Sequence, residues 1–236
     1  VLRKGNWRAI AFSKNGLWGL VSADGKLLAE PQYDELSVME PLPEWMTGTY
    51  ILSRQNERFG LLHANGKVIL KPVASEIRPY NDFLFFAKRN LLWGAVDDTG
   101  AEILQPRYQY FSKLSENYIK LIADGKTTLF SLLYYKVVAE GEHDNYYPFS
   151  DEYALCRKNR RMGLIDHCGK TVLSPQYDEV QAFNGEIFRV KMNNRWGLVS
   201  HDDELILPFD YDYISPLDGK VALVLADGLR GAVNAY

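Results

Sequence analysis

The chain has 236 residues, 47% hydrophobic and 24% charged, with 27 Lys plus Arg against 30 Asp plus Glu and a net charge of −3. That balance is ordinary for a globular chain, and its mild acidity argues against a general nucleic-acid binder, which needs a basic face. No apolar run approaches the roughly 18 residues of a membrane helix, so no bilayer span is expected and the protein is read as soluble, cytoplasmic or exported.

The chain opens at Val1 rather than Met, which is read as a removed leader, a longer parent protein upstream or the edge of an expressed fragment. The first expected strand covers residues 9–12. Leu17-Trp18-Gly19-Leu20-Val21 follows, then a turn at Ala23-Asp24-Gly25, a second run at Leu27-Leu28, Pro31, and Tyr33-Asp34-Glu35. Short apolar runs split by Asn-Gly or Asp-Gly read as β-hairpins, because those residues accept positive φ at little cost. A proline at the exit of the second run would break a helix interior and is tolerated at a strand end.

The same pattern returns along the chain. Anchored on the residue at the Gly19 position, the copies fall at Gly19, Gly60, Gly94, Leu129, Gly163, Gly197 and Gly231, spaced by 41, 34, 35, 34, 34 and 34 residues. Six past the anchor stand Gly25, Gly66, Gly100 and Gly169, with Tyr135 and Asp203 as exceptions. Twelve past it stand Pro31, Pro72, Pro106 and Pro175, with Pro208 displaced by one. Fourteen past it stand Tyr33, Tyr108, Tyr177 and Tyr211, replaced by Ala74 and His143; seventeen past it every copy is apolar. A third run precedes each anchor, as at residues 83–87 and 187–191. The expectation is an all-β array of about three short antiparallel strands per copy, in one domain spanning 1–236. The Trp of each Trp-Gly pair is expected in the core, against a neighbouring repeat, with a bulky residue of the next repeat over the glycine.

These columns, carried by Leu17-Trp18-Gly19-Leu20-Val21, Leu92-Trp93-Gly94-Ala95-Val96 and Arg195-Trp196-Gly197-Leu198-Val199, with the Gly-Lys turns and Pro-x-Tyr-Asp ends, resemble the WG-repeat (KWG-repeat) family of bacterial proteins. The resemblance covers nearly the whole chain. Phe59, Met162 and Arg230 depart from it in the Trp column, and the fourth copy has lost both Gly and Pro. It implies a β-repeat interaction module without assigned catalysis and carries over no catalytic residues.

A β-repeat either closes as a propeller or extends as an open superhelix or solenoid. The chain closes on the opening strand of a seventh copy and starts on a closing strand, so a seven-unit propeller-like ring with its last unit split between the termini is favoured over the open array.

Catalytic patterns are thin: the sequence has no phosphate-cradling Gly loop, nucleophile elbow or HExxH helix. His63, His167 and His201 fall in the first turn of their copies beside Asp97, Asp98, Asp166, Asp202 and Asp203, where turn chemistry explains them better than a metal ring. Tyr33-Asp34-Glu35 and Tyr177-Asp178-Glu179 look singly like glycosidase carboxylates but recur with the repeat, so a buried Tyr and a turn-capping Asp account for them. Cys156 and Cys168 are not expected to pair. Features the repeat does not require are better binding candidates. The seven extra residues before Gly60 fall near 39–48, where Pro41 and Pro43 stiffen a loop offering Leu42, Trp45 and Met46. Arg157, Lys158, Arg160 and Arg161 crowd one hairpin turn, suited to an acidic partner or phosphate. Tyr134, Tyr135, Tyr146 and Tyr147 form a cluster that either repairs packing in the eroded copy or lines a groove.

The expected function is non-enzymatic binding of another protein, for instance as a bacterial inhibitor or immunity-type protein, with no cofactor or metal. Glycan or cell-envelope binding is the alternative, and an enzyme with a site on one rim a weaker one.

Overall fold

The computed structural model describes residues 2–4, 7–39 and 49–234, in which every regular element is a β-strand. No helix long and apolar enough to cross a membrane occurs among them. The chain divides into two compact units, 1–110 and 111–236.

The first unit holds three four-stranded antiparallel meanders. They are β1 (Leu2–Lys4), β2 (Trp7–Lys14), β3 (Leu17–Ser22) and β4 (Leu27–Tyr33); then β5 (Glu35–Val38), β6 (Tyr50–Gln55), β7 (Arg58–His63) and β8 (Val68–Ala74). The third sheet is β9 (Glu76–Asn81), β10 (Leu84–Arg89), β11 (Leu92–Asp97) and β12 (Glu102–Tyr108). In the second unit the fourth sheet is β13 (Tyr110–Lys113), β14 (Tyr118–Ala123), β15 (Lys126–Ser131) and β16 (Lys136–Glu140). The fifth is β17 (Asn145–Pro148), β18 (Tyr153–Lys158), β19 (Arg161–Asp166) and β20 (Thr171–Tyr177). The sixth is β21 (Glu179–Ala182), β22 (Ile187–Met192), β23 (Arg195–Ser200) and β24 (Leu205–Tyr211). The seventh has three strands: β25 (Tyr213–Ile214), β26 (Val221–Ala226) and β27 (Leu229–Asn234).

Two sequence expectations change. The anchor lies in the third strand of each sheet, so a copy counted from anchor to anchor straddles two sheets. The apolar position seventeen past the anchor opens a further short strand, giving four per complete sheet rather than three. Residues 9–12 lie inside β2, where Ala9 to Phe12 pair with Ser22 to Gly19 of β3. They complete the first sheet and are not half of a unit shared with the last strand.

All seven hairpins between second and third strands turn on two residues of positive φ, the first always Asn or Asp: Asn15-Gly16, Asn56-Glu57, Asn90-Leu91, Asp124-Gly125, Asn159-Arg160, Asn193-Asn194 and Asp227-Gly228. That is the geometry of the two-residue turn whose twist matches the flanking strands.

The Trp-Gly glycine answers to its own sheet. In the first sheet Trp18 pairs with Tyr33 and Leu20 with Ala29, so Gly19 alone faces Glu30, Pro31 and Gln32. This bulge presses the strand backbone onto the glycine: an added Cβ would stand 2.7 Å from the Ala29 oxygen and 2.9 Å from the Pro31 nitrogen. Gly60, Gly94 and Gly163 meet the same backbone atoms of their own fourth strands. At Gly197 the ring of Phe209 takes the place of the proline nitrogen, because Pro208 is displaced by one. The three atoms nearest each added Cβ belong to the glycine's own sheet, contrary to the expectation of a bulky residue from the next repeat. In the fourth sheet Thr128, Leu129 and Phe130 pair with Glu140, Ala139 and Val137, so the large bulge is absent and Leu129 is fully buried where glycine stands elsewhere.

Close approach between sheets falls instead at the turn glycines. Within the first unit, a Cβ on Gly66 would lie 2.4 Å from the Leu28 oxygen, and one on Gly100 2.6 Å from the Ile69 oxygen. Within the second, Gly169 meets the Val138 oxygen at 2.3 Å. Asp203 replaces the glycine in the sixth sheet and reaches back to accept from Ser174 N–H at 3.0 Å. Within each unit, apolar side chains fill the layers between successive sheets. Leu20 and Tyr33 pack with Ile51 and Leu62; Leu61 and Leu70 with Phe85 and Val96. In the second unit Leu164 and Leu173 pack with Phe188 and Val199, and Trp196 and Leu198 with Ile214 and Val224. Each fully buried aliphatic chain stabilises by roughly 2–3 kcal/mol.

Candidate functional site

The basic hairpin expected at residues 157–161 is the β18–β19 turn, and its four cations do different things. The Arg157 guanidinium lies over the Tyr147 ring, 5.4 Å from its centroid. Arg161 pairs with Asp178. Lys158 and Arg160 are exposed and make no ion pair among the described residues. Arg160 occupies the second turn position at φ 67, which fixes its backbone at the hairpin tip.

Beside the turn opens a surface cleft of about 450 Å³ between the fifth and sixth sheets, lined by Lys158, Asn159, Arg161, Pro175, Gln176, Met192 and Asn193. Its position follows from the repeat. The Asp178 carboxylate, just past β20, accepts from Asn193 N–H of the next sheet's hairpin at 2.8 Å, holding the two tips a fixed distance apart. The same bond recurs from Asn56 N–H to Asp34, Asn159 N–H to Asp144 and Asp227 N–H to Asp212, each at 2.8 Å. The Tyr-Asp ends are therefore structural, as expected: Asp caps the neighbouring hairpin, and Tyr33, Tyr108 and Tyr177 are buried. Chemically the cleft combines two cationic side chains and three amides with a small aliphatic floor, a set that receives carboxylates. The amides were missed in the sequence; Asn159 and Asn193, which open their hairpin turns, were the available signal.

Leu42, Trp45 and Met46 lie outside the described residues. The seven extra residues enter between β5 and β6, after Met39, which is buried. Trp93 and Trp196 are core residues, 5% and 8% exposed, with Lys88 and Lys191 laid across their rings from the paired strand. Trp18 is 38% exposed, against expectation: its cross-strand partner is Ser13, which has no stem to cover the indole.

The turn histidines and aspartates make local contacts. Asp97 accepts from Thr99 and Ala101 N–H, each at 2.8 Å, and Asp166 from Cys168 and Lys170 N–H. His63 accepts from Asn65 N–H, His167 rests on Tyr134, and His201 stands 3.1 Å from Asp202. Among the described residues no group of three His, Cys, Asp or Glu side chains is placed to hold a metal. The four tyrosines of the eroded copy separate: Tyr146 is fully buried beside His143, Tyr147 lies under Arg157, Tyr135 is half-buried at positive φ, and Tyr134 is exposed. Burial raises the Cys156 thiol to about 11 and lowers His143. It also raises Tyr50 to about 12. Cys156 and Cys168 are both free thiols.

A sequence model described as the WG-containing repeat matches residues 18–40, 93–126, 162–196 and 196–229. No curated protein matches the chain. Among solved structures, a eukaryotic initiation factor is 11% identical with a TM-score of 0.36, over 94% of this chain and 72% of that one. PorZ, a bacterial surface component of the type IX secretion system of Porphyromonas gingivalis, is 9% identical with a TM-score of 0.31, over 99% of this chain and 36% of that one. Hsv2 of Kluyveromyces lactis is 14% identical with a TM-score of 0.31, over 79% and 71%.

Proposed function

This chain belongs to the family of WG-containing repeat proteins, and we propose that it is a non-enzymatic binding module whose partner is a protein presenting acidic side chains to the Lys158–Arg161 hairpin. One observation carries the reading: of four clustered cations, Arg157 and Arg161 are engaged within the fold while Lys158 and Arg160 are left exposed at a tip that Asp178 and Asp144 hold rigid. A tip whose backbone is already held limits the ordering cost of binding to the two exposed side chains, which favours binding. In its most specific form the module is a bacterial inhibitor or immunity-type protein that covers an enzyme surface. The seven sheets, all in one sequence phase, support a further step, a seven-unit propeller-like ring.

A ten-residue Glu-rich peptide tests the surface. Binding to the wild type that weakens with salt and drops at least tenfold in Lys158→Glu/Arg160→Glu is expected; equal binding by that variant, or by a Gln-rich peptide, overturns it. For the ring, solution scattering is expected to give a radius of gyration of about 18 Å, the value for a compact chain of this length. A clearly larger radius would favour the open array.

A further inference from the structure

The repeat contains its own reference for the cleft beside the β18–β19 tip. The junction between the sixth and seventh sheets is built from the same positions as the junction between the fifth and sixth. Asp178 accepts from Asn193 N–H and Asp212 from Asp227 N–H, both at 2.8 Å. Asn193 and Asp227 each open their hairpin turn at φ 50. Arg161 pairs with Asp178 through Nη1, as Arg195 pairs with Asp212 through Nη1 at 2.9 Å.

The two junctions part at one residue. Arg195 gives its other nitrogen, Nη2, to a second carboxylate, Asp227, at 2.8 Å. The residue at that place beside Arg161 is Asn193, and among the described residues no second carboxylate reaches Arg161. Positive charge is also left over on this side. Lys158 lines the cleft, whereas its counterpart at the next junction is Met192. Lys158 and Arg161 thus share one carboxylate, while Arg195 alone has two.

A guanidinium is a planar fork that can serve two carboxylates from its separate nitrogens. With one nitrogen taken by Asp178, Arg161 lines a cleft of about 450 Å³ together with the amides of Asn159, Gln176 and Asn193. Pro175 and Met192 in the same lining offer apolar contact to the methylenes that carry an incoming acid. We infer that this cleft seats one carboxylate side chain of the partner protein, held by Arg161 and Lys158 in the place that Asp227 fills at Arg195. The seat rests on the reading of the tip as acid-binding and narrows it to one guanidinium. A phosphate dianion suits it less, because Asp178 already lies against that guanidinium and repels the second negative charge.

The probe is the fluorescent Glu-rich peptide, amidated at its C-terminus, and the key variant is Asn193→Asp, which fills the seat from within the chain. Fluorescence anisotropy is expected to show binding weakened about tenfold or more by Asn193→Asp. Asn194→Asp places the same charge one residue along, at φ 66, which Asp accepts, and is expected to weaken binding about threefold or less. The urea midpoint of Asn193→Asp is expected at or above that of the wild type, since the new carboxylate pairs with Arg161. Equal weakening by the two variants, a midpoint well below the wild type, or stronger competition by inorganic phosphate than by chloride at equal ionic strength would each overturn the seat. Equal binding by a Gln-rich peptide that keeps its C-terminal carboxylate would do so too. If Lys158→Glu/Arg160→Glu removes binding and Asn193→Asp does not, the acid-binding tip stands and the seat falls; if the peptide does not bind the wild type, both fall.

Discussion

Replacing Gly94 by alanine tests the account of the repeat most directly. The new Cβ would stand 2.5 Å from the Leu104 oxygen, 2.8 Å from the Pro106 nitrogen and 3.1 Å from the Gln105 carbonyl carbon, all backbone of β12. Ordinary contact begins near 3.4 Å, so β12 has to retreat by about 0.9 Å at a point pinned on both sides, where Trp93 pairs with Tyr108 and Ala95 with Leu104. Overpacking of that kind costs about 1–3 kcal/mol, and a ladder hydrogen bond lost with it about 1 kcal/mol more. The narrower unfolded ensemble of alanine returns about 0.4–1 kcal/mol, leaving a net loss of about 2–3 kcal/mol. Gly25→Ala is the matched control, with φ +85 and nothing within 4 Å of the added Cβ. It carries only the left-handed backbone penalty of about 1–2 kcal/mol, reduced by the same entropic return to a net of about 1 kcal/mol. Urea unfolding followed by tryptophan fluorescence separates the two, provided the slopes match. If Gly94→Ala were no more costly than Gly25→Ala, the bulge would not be the reason for the glycine.

The reciprocal change, Leu129→Gly, removes a fully buried side chain from a sheet that lacks the large bulge seen elsewhere, and is expected to lower stability by about 3–5 kcal/mol in the same assay. Asp178→Ala removes the cap on Asn193 N–H and the Arg161 ion pair, and should lower the urea-derived stability by about 1–2 kcal/mol. Cys156 is buried with its thiol raised to about 11, whereas Cys168 is exposed, so a thiol reagent at pH 8 should modify one cysteine per native chain and two in denaturant. Burial holds His143 below the ordinary 6.5, so at lower pH the unfolded chain takes up a proton that the folded chain resists. Its contribution is intact above pH 6.5 and is lost as the pH falls below that value; the urea midpoint should drop between pH 7.5 and 5.5, and less so in His143→Gln.

Fold class and period were legible because the turn residues and prolines recur as columns. The fourth strand was not, because the position seventeen past the anchor reads only as one apolar residue; strands as short as Glu35–Val38 gain their order from pairing with β6 rather than from local propensity. The hairpin turns were partly legible. Asn15-Gly16 and Asp227-Gly228 carry the expected dipeptides, but Asn90-Leu91 and Asn159-Arg160 put bulky residues at positive φ, where pairing of the flanking strands overrides local preference. The basic hairpin could be read directly, yet the sequence treated its four cations alike. Only the fold distributes them, through the placement of Tyr147 and Asp178. Exposure of Trp18 was hidden for a similar reason: the indole looks the same in each copy that keeps it, and its cover comes from residues outside that column, Arg78 and Lys88 over Trp93 and Arg189 and Lys191 over Trp196, with only Ser13 paired across from Trp18.

The Gly and Pro columns, twelve residues apart, are two halves of one device. Proline bars the edge of a sheet to foreign strands and pushes its backbone into a bulge; glycine makes room for that bulge. A repeat that loses one has no use for the other, which is why the fourth copy lacks both and fills the space with Leu129. The device also limits where a partner can dock. Five outer edges carry a proline, and within each unit the layers between successive sheets are filled with apolar side chains. The outer edge of the fourth sheet, β16, carries no such proline, and the exposed Lys158 and Arg160 stand at a hairpin tip rather than on a strand edge, so neither is governed by the device.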